Sequence, residues 1–266
     1  MIGVESSRVM RAAPRKAAER VEASVPWDFS RKYAAVHHSG TISVENARKR
    51  SKIGRVMKVE TFETPQDAAK ALAGEVAELI RTRAAEGKNV VLGLATGATP
   101  LPFYAELVRM HKEEGLSFAN VISFNLDEYS GLDRDHPESY WYFMHTNLFN
   151  HIDIKPENIN LPSGTVKDDE IAAHCAAYEQ KIKDCGGIDL QILGIGRTGH
   201  IGFNEPGSDD TTITRQVHLD ELTRSDAAPA FGGIENVPTT AITMGVATIM
   251  GAREVALMAW GEKKAS

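Results

Sequence analysis

Three short stretches of this 266-residue chain carry side chains whose types and spacing could do chemistry. The first, GIGRTGHIGFNEPG at residues 194–207, sets His200 and Glu205 five positions apart in a glycine-rich loop. Histidine titrates near neutrality, and a carboxylate beside it orients the ring and raises its basicity, so the pair suits proton transfer to a sugar oxygen. A histidine that merely caps local backbone is the alternative. The second, FNLDEYSG, places Asp127 and Glu128 side by side after an apolar run. Adjacent carboxylates repel, and confinement in a cleft would raise one of them toward the working range of a general base. Either could instead cap a turn or a helix. The third, LATGATP, offers the backbone N–H groups of Thr96, Gly97, Ala98 and Thr99 and two hydroxyls just ahead of Pro100. Such a turn at a helix N-terminus can hold phosphate, although a plain structural turn has the same spelling. It is not a Walker loop, because no lysine follows the glycine at the required place.

Gly194, Gly196 and Gly199 also spell the dinucleotide-binding pattern after a strand, and Asp220 and Glu221 lie about where the ribose-binding acid should be. That motif must lead straight into a helix facing the pyrophosphate. Here two further glycines and Pro206 occupy the place of the helix, so the glycines are expected to shape a tight turn that presents His200 and Glu205.

The elements that must position these residues alternate along the chain. RVMKVETF reads as a strand; Thr64 and Pro65 then open a helix that Gly87 closes. NVVLGLA is a continuous apolar run of the kind covered on both faces. The helix LPFYAELVRMHKEEG, the strand NVISFNL and a helix around ESYWYFMHTNLF follow. Then come ENINL, a helix over 168–183, DLQIL, TAITMGVATIM and a last strand EVALMAW. This order predicts an α/β fold: a three-layer sandwich with a mostly parallel, Rossmann-like open sheet. Ligands of such sheets sit beyond the carboxyl ends of the strands, where all three chemical stretches fall.

Residues 1–55 stand apart, basic in RVMRAAPRKAAERVE and ENARKRSKIGR and poor in large apolar residues; they are expected to form an N-terminal extension to a domain spanning 56–266. The whole chain carries 36 acidic against 30 basic residues, a formal charge of −6, so an anionic ligand must be held by local groups and nucleic acid is not an expected partner. Cys175 and Cys185 match neither a disulfide framework nor a metal-ligand spacing and are expected as reduced thiols. No apolar run approaches a membrane span, and the expected location is the cytoplasm.

Taken in order, GLATGATPLPFYAEL, SFNLDEYSGL, HPESYWYFMHTNLF, ENINLPSG and ILGIGRTGHIGFNEPGS resemble the glucosamine-6-phosphate deaminase family over about residues 56–266. The resemblance implies an aldose-to-ketose isomerisation with loss of ammonia, needing no cofactor and no metal, on a small amino-sugar phosphate. It implies that His200, oriented by Glu205, opens the sugar ring, that Asp127 moves the C2 proton to C1, and that Thr96 to Thr99 with Lys264 grip the phosphate. Glu128 is expected among the substrate-binding residues, and a homo-oligomer among the partners. Two positions depart from the family pattern: Thr198 replaces a second carboxylate, and Pro229 replaces a phosphate-binding arginine, for which Arg215 or Arg224 could substitute. The family also continues beyond the lysine, so the domain is expected to be truncated at its C-terminus. The rival readings are a sugar-phosphate lactone hydrolase resembling 6-phosphogluconolactonase, which needs no C2 base, and a sugar-phosphate sensor that binds without turnover.

Overall fold

The computed structural model describes residues 33–36 and 59–260. The core is a seven-stranded sheet, entirely parallel, in the order β2 (Val59–Phe62), β1 (Tyr33–Val36), β10 (Glu254–Ala259), β7 (Leu190–Leu193), β3 (Val90–Leu94), β4 (Val121–Asn125), β6 (Ile159–Asn160). β1 comes from the short apolar run YAAV inside the stretch expected as an extension, and it pairs with β2 and β10. The rest of residues 1–58 lies outside the described residues, as does Lys264.

Alternation along the strands assigns the two covering layers. Val90, Leu92 and Leu94 of β3 and Ala256 and Met258 of β10 face α1 (Pro65–Ala85), α2 (Leu101–Glu114) and α3 (Tyr140–Asn147) in one apolar cluster. Val91 and Ala95, with Val255 and Leu257, face α4 (Ile171–Asp184) and α6 (Val246–Met250) on the other side. Both faces being covered explains why the strands read as unbroken apolar runs. The helix boundaries follow their local signals. Thr64 caps α1 by accepting from the Asp67 N–H at 3.1 Å, and Gly115 closes α2 at φ 69°.

Two buried carboxylates fasten layers together and are satisfied in doing so. Asp189 accepts from Arg83 of α1 at 2.7 Å, from Arg253 ahead of β10 at 2.6 Å, and from the Val91 N–H at 2.8 Å. Glu179 of α4 accepts from the Thr214 N–H at 2.8 Å and from the hydroxyls of Thr214 and Thr248.

A second sheet was not expected from the run of elements. β5 (Asp127–Tyr129), β9 (Thr240–Thr243) and β8 (Arg215–His218) form an antiparallel set in the order β5-β9-β8. TAITM therefore does not extend the parallel sheet. It crosses the carboxyl ends of the strands, and its register sets Thr243 opposite Asp127. α5 (Glu221–Phe231) follows β8; none of its residues is buried, and Pro229 lies within it.

Candidate active site

The three chemical stretches follow β3, β4 and β7, three consecutive strands of the sheet with β3 between β7 and β4. Glycines let them close on one another. A Cβ at Gly194 would touch the Thr99 side chain at 3.7 Å, and one at Gly196 would overlap the His200 ring. At Gly202, φ +55°, a Cβ would stand 2.9 Å from Thr243 Oγ1 and 3.4 Å from Asp127 Oδ2. The loop after β7 thus passes over the Thr99 turn and the Asp127 corner alike. No helix begins after Gly199. The chain turns through Gly199 N–H to Gly196 O and Gly196 N–H to His200 O, makes a bridge between Ile201 and Asn204, and reaches α5 only at Glu221.

Asp127 and Glu128, adjacent in sequence, are sent apart by strand alternation. Asp127 is 5% exposed, and burial, with the Glu128 charge second, pushes its carboxyl up to about 8. Glu128 is 2% exposed and turns the other way. Its oxygens accept from the N–H groups of Tyr129 at 2.9 Å, Tyr140 at 3.0 Å and Trp141 at 2.9 Å. Burial raises its carboxyl, and those three donors oppose the rise. Among the expected site residues it is the one committed to backbone, at the start of α3, where a carboxylate also meets the positive end of the helix dipole.

His200 Nδ1 stands 3.1 Å from Glu205 Oε1, an ion pair whenever the ring is protonated. Thr198 adds a link that sequence reasoning left out. Its hydroxyl donates to Glu205 Oε2 at 2.6 Å and lies 2.9 Å from His200 Nδ1. From α5, the Thr223 hydroxyl donates to Glu205 Oε1 at 2.8 Å. Nothing in the sequence ELTRSD marks Thr223, because its partner lies 18 residues away through a loop and a strand.

The turn over Thr96 to Thr99 begins directly after β3, with Gly97 at φ +89° and Pro100 leading into α2. The Tyr104 hydroxyl fixes it from below by donating to Ala95 O, and Tyr140 is hydrogen-bonded to Thr96 and Tyr129. The arginines considered for phosphate are both engaged. Arg215 donates to Asn204 Oδ1 at 2.9 Å, and Arg224 donates to the carbonyls of Ile234 at 2.9 Å and Val237 at 3.1 Å. Among the described residues no group of three or more His, Cys, Asp or Glu could hold a metal, no helix is long and apolar enough to cross a membrane, and Cys175 and Cys185 are free thiols.

A family model described as glucosamine-6-phosphate isomerases/6-phosphogluconolactonase matches residues 63–266. The chain belongs to this family. A glucosamine-6-phosphate deaminase of a Thermoanaerobacter species is 50% identical over 194 residues, 73% of this chain and 76% of that relative. A deaminase-like protein of Bacteroides thetaiotaomicron is 47% identical over 224 residues, 84% of this chain, which spans 34% of that longer relative. Among solved structures, a monomeric glucosamine-6-phosphate deaminase superposes with a TM-score of 0.72 at 43% identity, covering 76% of this chain and 81% of that one. The 6-phosphogluconolactonase of Trypanosoma brucei, at 20% identity and a TM-score of 0.59 over 76% and 81% of the two chains, shares the fold. Within the isomerase and lactonase family, then, the relatives of high identity carry the deaminase name.

Proposed function

We propose that the chain converts glucosamine 6-phosphate and water to fructose 6-phosphate and ammonium. The observation that carries this reading is the convergence of Thr99, Asp127 and His200 around Gly194, Gly202 and Gly196. The N–H groups of residues 96–99 and the threonine hydroxyls hold the phosphate dianion at the end of β3. Nδ1 of His200 is committed to Glu205 and Thr198, so ring opening falls to Nε2, which passes a proton between the ring oxygen and the C1 hydroxyl. In the open chain C2 is acidic beside the C1 carbonyl. Asp127 takes the C2 proton, giving an enolamine, and returns it to C1; water then hydrolyses the C2 iminium to the ketone and ammonium.

The raised Asp127 carboxyl favours this substrate over a neutral one. Buried and near pH 8, it holds its proton at neutrality until a cation arrives. The ammonium on C2 supplies that charge beside the oxygen that must ionise. A lactone brings no such cation, and its hydrolysis takes no proton from C2. Glu128 in this reading orders α3 and holds Asp127 near neutrality, and acts on the substrate only through them. A phosphorylated sugar and two free thiols fit a cytoplasmic enzyme.

The test is ammonium release from glucosamine 6-phosphate by the wild type and by Asp127→Asn. Release by the wild type and its near-abolition in the variant are expected. Binding without turnover, or hydrolysis of a 6-phospho-lactone alone, would overturn the proposal in favour of a sensor or a lactone hydrolase.

A further inference from the structure

Both oxygens of Glu205 are held by threonine hydroxyls that arrive from different elements. Thr198 comes from the loop that carries His200, and Thr223 comes from α5, outside that loop. No residue of α5 is fully buried; its apolar anchor is Phe231 at its C-terminal end, which packs on Tyr129 with ring centroids 5.4 Å apart, while the half-buried first turns carry Thr223 and Arg224. Its ties to the site loop are polar: Thr223 to Glu205 at 2.8 Å and Arg197 to Asp226 at 2.8 Å. The Arg197–Asp226 pair is about half exposed on both sides, and such pairs contribute little. Thr223 touches the carboxylate that orients His200.

We propose that Thr223 is a positioning residue for the acid–base pair, so that the seating of α5 sets the orientation of Glu205 and through it the basicity of His200. Two hydroxyl donors satisfy the Glu205 oxygens, stabilise the ionised form and aim Oε1 at Nδ1. With Thr223 gone, one donor disappears. Oε1 of Glu205 then turns more unshared charge toward Nδ1 of His200. That charge favours the imidazolium, moving the protonation of the His200 ring to higher pH. The inference rests on the deaminase reading for its catalytic consequence, though its electrostatic consequence does not need turnover.

The experiment compares wild type, Thr223→Val and Thr223→Ser. The titration of the His200 ring is followed by NMR in the absence of substrate, and kcat/KM for glucosamine 6-phosphate is measured across pH with thermal stability as a control. In Thr223→Val the His200 titration and the acidic limb of kcat/KM move to higher pH. The activity at its optimum falls about tenfold to a hundredfold, mainly through kcat, at a near-wild-type melting temperature, and Thr223→Ser restores all three. A His200 titration identical in wild type and Thr223→Val overturns the inference, and so does a serine variant no better than valine. Should the wild type release no ammonium, the deaminase reading falls while the NMR comparison still decides the role of Thr223.

Discussion

The corner after β4 and the loop after β7 treat a carboxylate in opposite ways. At the corner, Asp127 is buried beside a like charge, and its carboxyl rises to about 8. In the loop, Glu205 is 29% exposed and shares its charge with two threonine hydroxyls and an imidazole. Burial without compensation makes a group that exchanges protons near neutral pH; donors on every side make a fixed acceptor that does not need to exchange any. Under the proposed mechanism the difference separates a carboxylate that does chemistry on carbon from one that holds a neighbour in place. It also separates Asp127 from Glu128, since the three N–H groups on Glu128 convert an equally buried acid into a structural cap.

The largest effect should separate the two regions outright. Asp127→Asn is expected to lower kcat by about 10²–10⁴-fold with KM little changed, because it removes a proton-transfer group used only in the transition state. Glu205→Gln should cost about tenfold to a hundredfold, and only with the cyclic substrate, while an open-chain analogue reacts at near the wild-type rate. Equal losses in the two variants on both substrates, read by ammonium release, would erase the distinction.

Glu128→Gln comes next in size. A neutral amide cannot accept from all three N–H groups, so unfolding in urea should show a loss of about 2–3 kcal/mol. Removal of the Glu128 charge should also lower the Asp127 carboxyl, moving the acidic limb of kcat/KM to lower pH. A variant of unchanged stability that no longer binds substrate would return Glu128 to the ligand.

A last effect is on stability against pH. The folded-state value of Asp127 lies above the value near 4 of an unfolded chain, so the native state holds a proton that the unfolded state has lost. Its contribution is present below about pH 4 and is lost as pH rises toward about 8. Asp127→Asn should therefore gain melting temperature over wild type at pH 8 and not at pH 4. A constant difference across that range would place Asp127 in a solvated setting.

Much of the scaffold could be read from local signals. Thr64 with Pro65, the glycine at the end of α2, the unbroken apolar run of β3 and the mostly apolar run of β7 give their elements almost to the residue, because caps and apolar runs are written in neighbouring positions. The antiparallel sheet was not readable in the same way. β5 is three residues long and pairs with β9 more than a hundred positions away, and such a contact leaves no local pattern. α5 escaped for a different reason: its half-buried face is made of Thr223, Arg224, Ala227, Ala228 and Phe231, too few large apolar residues to form a stripe that can be detected.

By itself the sequence determined the residue types available at the three strand ends, and with them the kind of proton chemistry within reach. Only the tertiary structure decided their surroundings. Asp and Glu at 127 and 128 have nearly the same intrinsic acidity, and it is the direction each side chain takes from the strand, into a dry corner or onto a helix end, that parts them. Thr198 and Thr223 are likewise unremarkable until the fold brings both hydroxyls to the same carboxylate, since hydrogen bonding depends on distance in space and not on separation along the chain.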